Sequence, residues 1–170
     1  MIDLLGWSHL AAAAAGLGFG AAVLVTKKGT TGHRRLGWAY VISMVLVNGT
    51  AFLIYDLFGR FGPFHYAAMF SLATVLGGLV PAVRRKPRGR WIRHHAYWMT
   101  GSYVGLLAAA TAETATRYLA FDFGMTVVSA SGVVSVLGVW IILSRVPIAL
   151  ENLGRPRSVR PTSSSTGSRS

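Results

Sequence analysis

Apolar residues gather into five runs, near residues 7–26, 36–57, 63–83, 96–116 and 124–144, separated by short polar segments. Each run holds roughly 20 residues, the length a helix rising ~1.5 Å per residue needs to cross a hydrocarbon core of ~30 Å. The pattern predicts an all-α, polytopic bundle of five transmembrane helices, residues 1–153, with a four-helix core and one peripheral helix. The remainder, residues 154–170, carries Pro156, Pro161 and a Ser/Thr-rich end. Such a stretch buries too little apolar surface to order itself and predicts a disordered basic tail.

Charge sets the expected orientation. Of the 17 Lys and Arg residues, only Arg60 and Arg117 follow the second and fourth runs. The other 15 follow the first, third and fifth: Lys27, Lys28, Arg34 and Arg35, then Arg84, Arg85, Lys86, Arg88, Arg90 and Arg93, then Arg145, Arg155, Arg157, Arg160 and Arg169. Asp3, Asp56, Glu113 and Asp122 share the side of Arg60 and Arg117, and Glu151 is the lone acid opposite. Cytoplasmic loops retain Lys and Arg, so the amino terminus is expected outside and the carboxyl terminus inside. The first run has no basic residue before it, unlike a secretory signal, and is expected to stay as a helix.

Composition narrows the partners. A pI near 11.3 would ordinarily raise nucleic-acid binding. Here the bases flank the apolar runs, where topology and anionic headgroups account for them, so the expected partner is the lipid bilayer and not nucleic acid. With no cysteine, the chain forms no disulfide, iron–sulfur cluster or thioether-linked haem. The excess of Arg over Lys and the abundance of Ala and Gly suggest a GC-rich bacterial genome, hence a bacterial plasma membrane.

Within the runs, Ala12, Gly16 and Gly20 recur at a spacing of four, a strip that lets a neighbouring helix approach. Pro63 suits the first turn of the third helix, and Asn48 is expected to hydrogen-bond between helices. The third run is expected to end at Pro81, and the chain after Pro147 to be tail.

The candidate chemistry lies in five histidines at the ends of four consecutive runs. His9 and His65 begin the first and third runs outside; His33 and His94-His95 begin the second and fourth inside. Adjacent helical residues differ by ~100°, so only one of His94 and His95 is expected to face the bundle. His95 and Glu113, five turns apart, share a face of the fourth run with Met99, Ser102 and Leu106. On the second run Tyr40, Ala51 and Tyr55 fall near the azimuth of His33, and Asp56 points away.

Three readings follow. In the first, His9 with His65 and His33 with His94 or His95 are axial ligands of two b-type haems, and the protein is a small electron-transfer module with a redox partner. Glu113, Arg117, Arg34 and Arg93 then tune potential or bind propionates. In the second, His9, His65, Glu113 and Asp56 hold one divalent metal, and a bound water gives an outer-face hydrolase; only this reading makes the chain an enzyme. In the third, the histidines are interfacial residues of a structural or accessory membrane protein, homo-oligomeric or not, without a cofactor.

The segment Lys27-Lys28-Gly29-Thr30-Thr31-Gly32-His33-Arg34-Arg35-Leu36-Gly37-Trp38 resembles the signature of a family of predicted bacterial membrane proteins of unknown function. The resemblance continues in Gly62-Pro63-Phe64-His65, His94-His95-Ala96-Tyr97-Trp98-Met99, Ser102-Tyr103-Val104-Gly105 and Glu113. It covers roughly residues 5–120, with the fifth run outside it. In span order the chain also resembles the four-helix core of the di-haem, ascorbate-reducible cytochrome b family. That resemblance implies an outer and an inner haem, each between histidines of alternate helices.

Overall fold

A computed structural model of the chain describes residues 4–55, 59–118 and 122–154. The described residues form five α-helices: α1 Leu4–Val25, α2 Thr31–Ala51, α3 Pro63–Arg84, α4 Trp91–Tyr118 and α5 Phe123–Gly154. Each overlaps one apolar run. Asp56 and residues 155–170, where the sequence predicts a disordered tail, lie outside the described residues.

The helices begin and end at local chemistry more than at the edges of hydropathy. Thr30 caps α2: its hydroxyl accepts from the His33 amide at 3.2 Å and donates to the Lys27 carbonyl at 2.8 Å. That cap starts α2 five residues ahead of its apolar run. The preceding turn needs a positive φ, which Gly29 supplies at +79°. Lys28 closes the other side of the turn by donating to the Val23 and Leu24 carbonyls at 2.8 and 2.7 Å, a C-terminal cap for α1.

Three helix ends differ from the sequence expectation. α2 stops at Ala51, where the Leu53 amide tightens onto the Thr50 carbonyl at 3.0 Å, so Tyr55 lies beyond the helix and off the azimuth of His33. α3 continues through Pro81 to Arg84, and α5 continues through Pro147 to Gly154. A helical proline forfeits one backbone bond, a loss tolerated where the rest of the helix is held. At 32 residues α5 runs about 48 Å, well beyond the ~30 Å of a hydrocarbon core.

The first four helices close a ring: α1 packs along α2, α2 on α3, α3 along α4, and α4 back on α1. α5 packs on α4 from outside, the peripheral position the sequence suggests. α1 and α3 sit on one diagonal without packing on each other. α2 and α4 sit on the other, bridged only by side chains: Tyr40, Val41, Met44, Val75 and Leu106 make the buried centre. α1, α3 and α5 are long and apolar enough to cross a membrane; α2 and α4 fall short of that composition. α2 and α4 carry buried Tyr40, Ser43, Asn48 and Ser102 inside and the charged residues Arg34, Arg35, Arg93, Glu113 and Arg117 toward their ends.

Glycine makes the ring tight. The buried residues of α1 are Ala12, Gly16 and Gly20, the strip expected from their spacing. A Cβ on Gly20 would overlap the Tyr103 ring, and one on Gly16 would lie 3.2 Å from the Leu106 side chain. Replacing Gly20 by Leu is expected to lower stability by about 1–3 kcal/mol through overpacking. Gly18→Leu, where a Cβ meets nothing within 4 Å, is expected to stay within about 0.5 kcal/mol of wild type. Thermal unfolding of both variants in detergent checks the pair; equal shifts would rule out this packing.

Candidate functional site

His33 is the third residue of α2 and His95 the fifth of α4. The Thr30 cap fixes the first turn of α2, and the α3–α4 contact fixes the other partner. There Gly77 and Gly78 lie under Trp98 and Met99, and a Cβ on Gly78 would stand 2.6 Å from the Met99 Cγ. This approach lets His95 Nδ1 donate to the Gly78 carbonyl at 3.0 Å. A carbonyl only accepts, so the neutral ring keeps Nε2 unprotonated. His94, one residue away, is exposed; His95 is the histidine that faces the bundle.

The His33 and His95 rings meet across the α2–α4 diagonal with centres 6.2 Å apart and planes at 86°. His33 Nδ1 is buried and has no hydrogen-bond partner among the described residues.

Two turns deeper, the same faces of α2 and α4 meet again. Ser102 gives its proton to the Met99 carbonyl at 2.8 Å, so the Tyr40 hydroxyl is the donor to Ser102 Oγ at 2.9 Å. The Tyr103 hydroxyl reaches the Leu17 carbonyl of α1 at 3.2 Å. The face expected on α4 is the inward one: Ser102 and Leu106 are buried and Met99 packs on the core. Asn48 departs from expectation, because its Nδ2 donates within α2 to the Met44 carbonyl at 2.7 Å rather than to another helix.

At the other end the candidate residues have separate partners. His9 Nδ1 meets the Thr50 hydroxyl of α2 at 2.8 Å. That hydroxyl also lies 2.7 Å from the Leu46 carbonyl, to which it donates. His65 is only 2% exposed. Its Nδ1 accepts from the Gly62 amide at 3.1 Å, and its ring lies 4.6 Å from both Tyr55 and Phe61. Glu113 is bound by Arg117 at 2.6 Å in a partly exposed i,i+4 pair. Among the described residues no three of His, Asp and Glu converge as a set able to hold an ion. Arg34 and Arg93 are exposed, the latter with its guanidinium 5.8 Å from the Tyr97 ring centre.

Sequence reasoning missed Thr30, Lys28, Thr50 and Gly78 as positioning groups. The Gly77-Gly78 pair was the available signal, since adjacent glycines inside an apolar run mark a close helix approach. Thr30→Ala is expected to cost about 1 kcal/mol through loss of the α2 cap, and Thr30→Ser to cost little. Comparing their unfolding midpoints checks this; no difference between them would exclude the cap.

No curated protein and no solved structure matches the chain. A family model described as "Predicted membrane protein (DUF2306)" matches residues 6–148, so the match includes most of α5, which the sequence resemblance had left outside. The protein therefore belongs to this family of predicted membrane proteins.

Proposed function

We propose that this protein spans the membrane five times, amino terminus outside, and that its inner His33–His95 pair holds one redox-active metal centre, the iron of a b-type haem. The observation that carries this reading is the ring separation. The His33 and His95 rings meet across the α2–α4 diagonal with centres 6.2 Å apart, and two imidazoles from facing helices are the residues that would hold such an iron. The surrounding chemistry fits as well. Gly78 orients His95 through Nδ1–H, the outer-shell arrangement typical of a ligating histidine. His33 presents a buried nitrogen with no partner among the described residues. Arg34 and Arg93 are the cations on hand for propionates. Bound haem would supply reversible one-electron transfer, and the residues' task is to hold it at the inner edge of the bilayer.

The outer pair fits less well. His65 Nδ1 accepts a backbone N–H, which leaves the proton on Nε2 and no bare nitrogen for a metal. α1 and α3 also do not pack on each other. A single inner centre is accordingly assigned, and among the described residues, which do not include Asp56, no ligand set converges for an outer-face hydrolase.

The alternating charge supports five crossings: α2 and α4, though less apolar than their neighbours, bury Tyr40, Ser43, Asn48 and Ser102 between the helices. Because the chain has no cysteine, single cysteines report topology cleanly. In intact cells a membrane-impermeant maleimide is expected to label Arg60→Cys and to spare Arg88→Cys until the membrane is opened; the reverse pattern would overturn the orientation. Protein purified from haem-sufficient cells is expected to show a b-type reduced-minus-oxidised spectrum. Replacing either His33 or His95 by Ala should abolish it, and His94→Ala should leave it intact. A wild-type spectrum without the b-type band, in folded protein, leaves an accessory membrane protein.

A further inference from the structure

We propose that the inner end of the α3–α4 hairpin binds one anionic glycerophospholipid, with Arg84, Arg90 and His94 around its phosphate and Val80 and Trp98 against its acyl chains. This rests on the membrane reading of the chain and is independent of the inner histidine pair.

The seam between α3 and α4 is fixed at Gly77, where the Trp98 indole lies 3.0 to 3.4 Å from the position a Cβ would take. Trp98 stays 43% exposed there, so its ring covers the seam from outside the bundle. From that contact both helices run inward to their shared turn. Residues three or four and seven apart share a helix face. Val80 and Arg84 therefore follow Gly77 down α3, and His94 lies one turn inward of Trp98 on α4. Arg90 stands a further turn in, because the His94 amide donates to its carbonyl at 3.1 Å. At ~1.5 Å per residue, Arg84 and Arg90 lie roughly 10–12 Å inward of Trp98. Val80, Arg84, Arg90 and His94 are all exposed.

The charges of this hairpin are uncommitted. Backbone bonds close the turn, with the Arg90 and Trp91 amides both donating to the Pro87 carbonyl at 3.1 and 3.0 Å. Among the described residues the sole ion pair is Glu113–Arg117, at the opposite end of α4. Arg84, Arg85, Lys86, Arg88 and Arg90 are thus exposed cations with no carboxylate partner among those residues. Retention of Lys and Arg inside accounts for their sign. It does not account for exposed Trp98 and Val80 along the same seam, on the bilayer side of the charges. A soluble polyanion would leave that apolar surface bare, and a neutral lipid would leave the cations unmatched. A phosphate carried above acyl chains covers both. Basic recesses between membrane helices on the cytoplasmic side bind such headgroups, and an indole at that depth suits the interface.

Full-length protein is reconstituted in phosphatidylcholine vesicles containing a minor fraction of lipid brominated on its acyl chains, either phosphatidylglycerol or phosphatidylcholine. Quenching of tryptophan fluorescence then reports which lipid is held. Both leaflets contain the same mixture, so the direction of insertion does not matter. Brominated phosphatidylglycerol is expected to quench wild type more than the phosphatidylcholine does at equal fraction. Trp98→Phe, which keeps a ring over Gly77, should remove most of that excess. Trp38→Phe and Trp140→Phe should leave it, although both side chains are exposed. Arg84→Gln with Arg90→Gln should weaken the preference about tenfold, and Lys27→Gln with Arg35→Gln, an equal loss of charge from the α1–α2 turn, no more than about threefold. The wild-type excess and its assignment to Trp98 do not depend on the charge variants. No excess in wild type, an excess carried by Trp38 or Trp140, equal losses in the two double variants, or reversal by inorganic phosphate would each overturn the proposal. Maleimide labelling and the b-type spectrum test the earlier readings separately, and neither changes with these outcomes.

Discussion

Two diagonal helices that never pack directly, α2 and α4, meet only through side chains, and the bundle is organised around that gap. Tyr40 crosses it to Ser102, and His33 crosses it to His95. In an apolar environment the hydroxyl of a buried tyrosine needs an acceptor inside the protein, because no water replaces it. The Tyr40–Ser102 bond therefore sets the rotation of both helices about their axes. Since Tyr40 follows His33, and Ser102 follows His95, by two helical turns, the same rotation brings the two imidazoles together. α1 and α3 close the sides through Gly20 against Tyr103 and Gly78 against Met99, where any larger side chain would push the diagonal open.

The sequence made the helices legible because each must bury or cover an apolar stretch of fixed length. It made the inward faces of α1 and α4 legible too, since Gly16, Gly20, Ser102 and Leu106 follow helical periodicity. What hydropathy did not carry was where helices start and stop. His33 precedes its apolar run, yet lies in the first turn of α2 because Thr30 caps the helix there. Tyr55 follows inside an apolar run, yet lies outside α2 because the backbone closes a tighter turn at Leu53. Pro81 and Pro147 mislead for the complementary reason: a proline near the end of a well-held helix removes one bond without ending it.

The histidines show the same division. Pairing by side of the membrane brings out His33 with His95, and helical geometry requires that His94 and His95 diverge. For His9 and His65 shared sidedness is not enough, because α1 and α3 occupy opposite corners of the ring. Corner position depends on which helices pack closely. That in turn depends on the backbone approach at Gly16, Gly20 and Gly78, a tertiary property with only a faint signal in one sequence.

His33 and His65 each occupy the third position of a helix, yet the residue at the cap sends them to different chemistry. Threonine at position 30 satisfies the α2 terminus with its own hydroxyl, so the His33 ring is released toward the bundle with Nδ1 unclaimed. Glycine at position 62 has nothing to offer, so the His65 ring turns back to the Gly62 amide and its remaining N–H points away from that task. One histidine keeps Nδ1 uncommitted, and the other commits its Nδ1 to the cap. A difference of one capping side chain thus sends one imidazole toward the α2–α4 diagonal and turns the other back onto its own helix end.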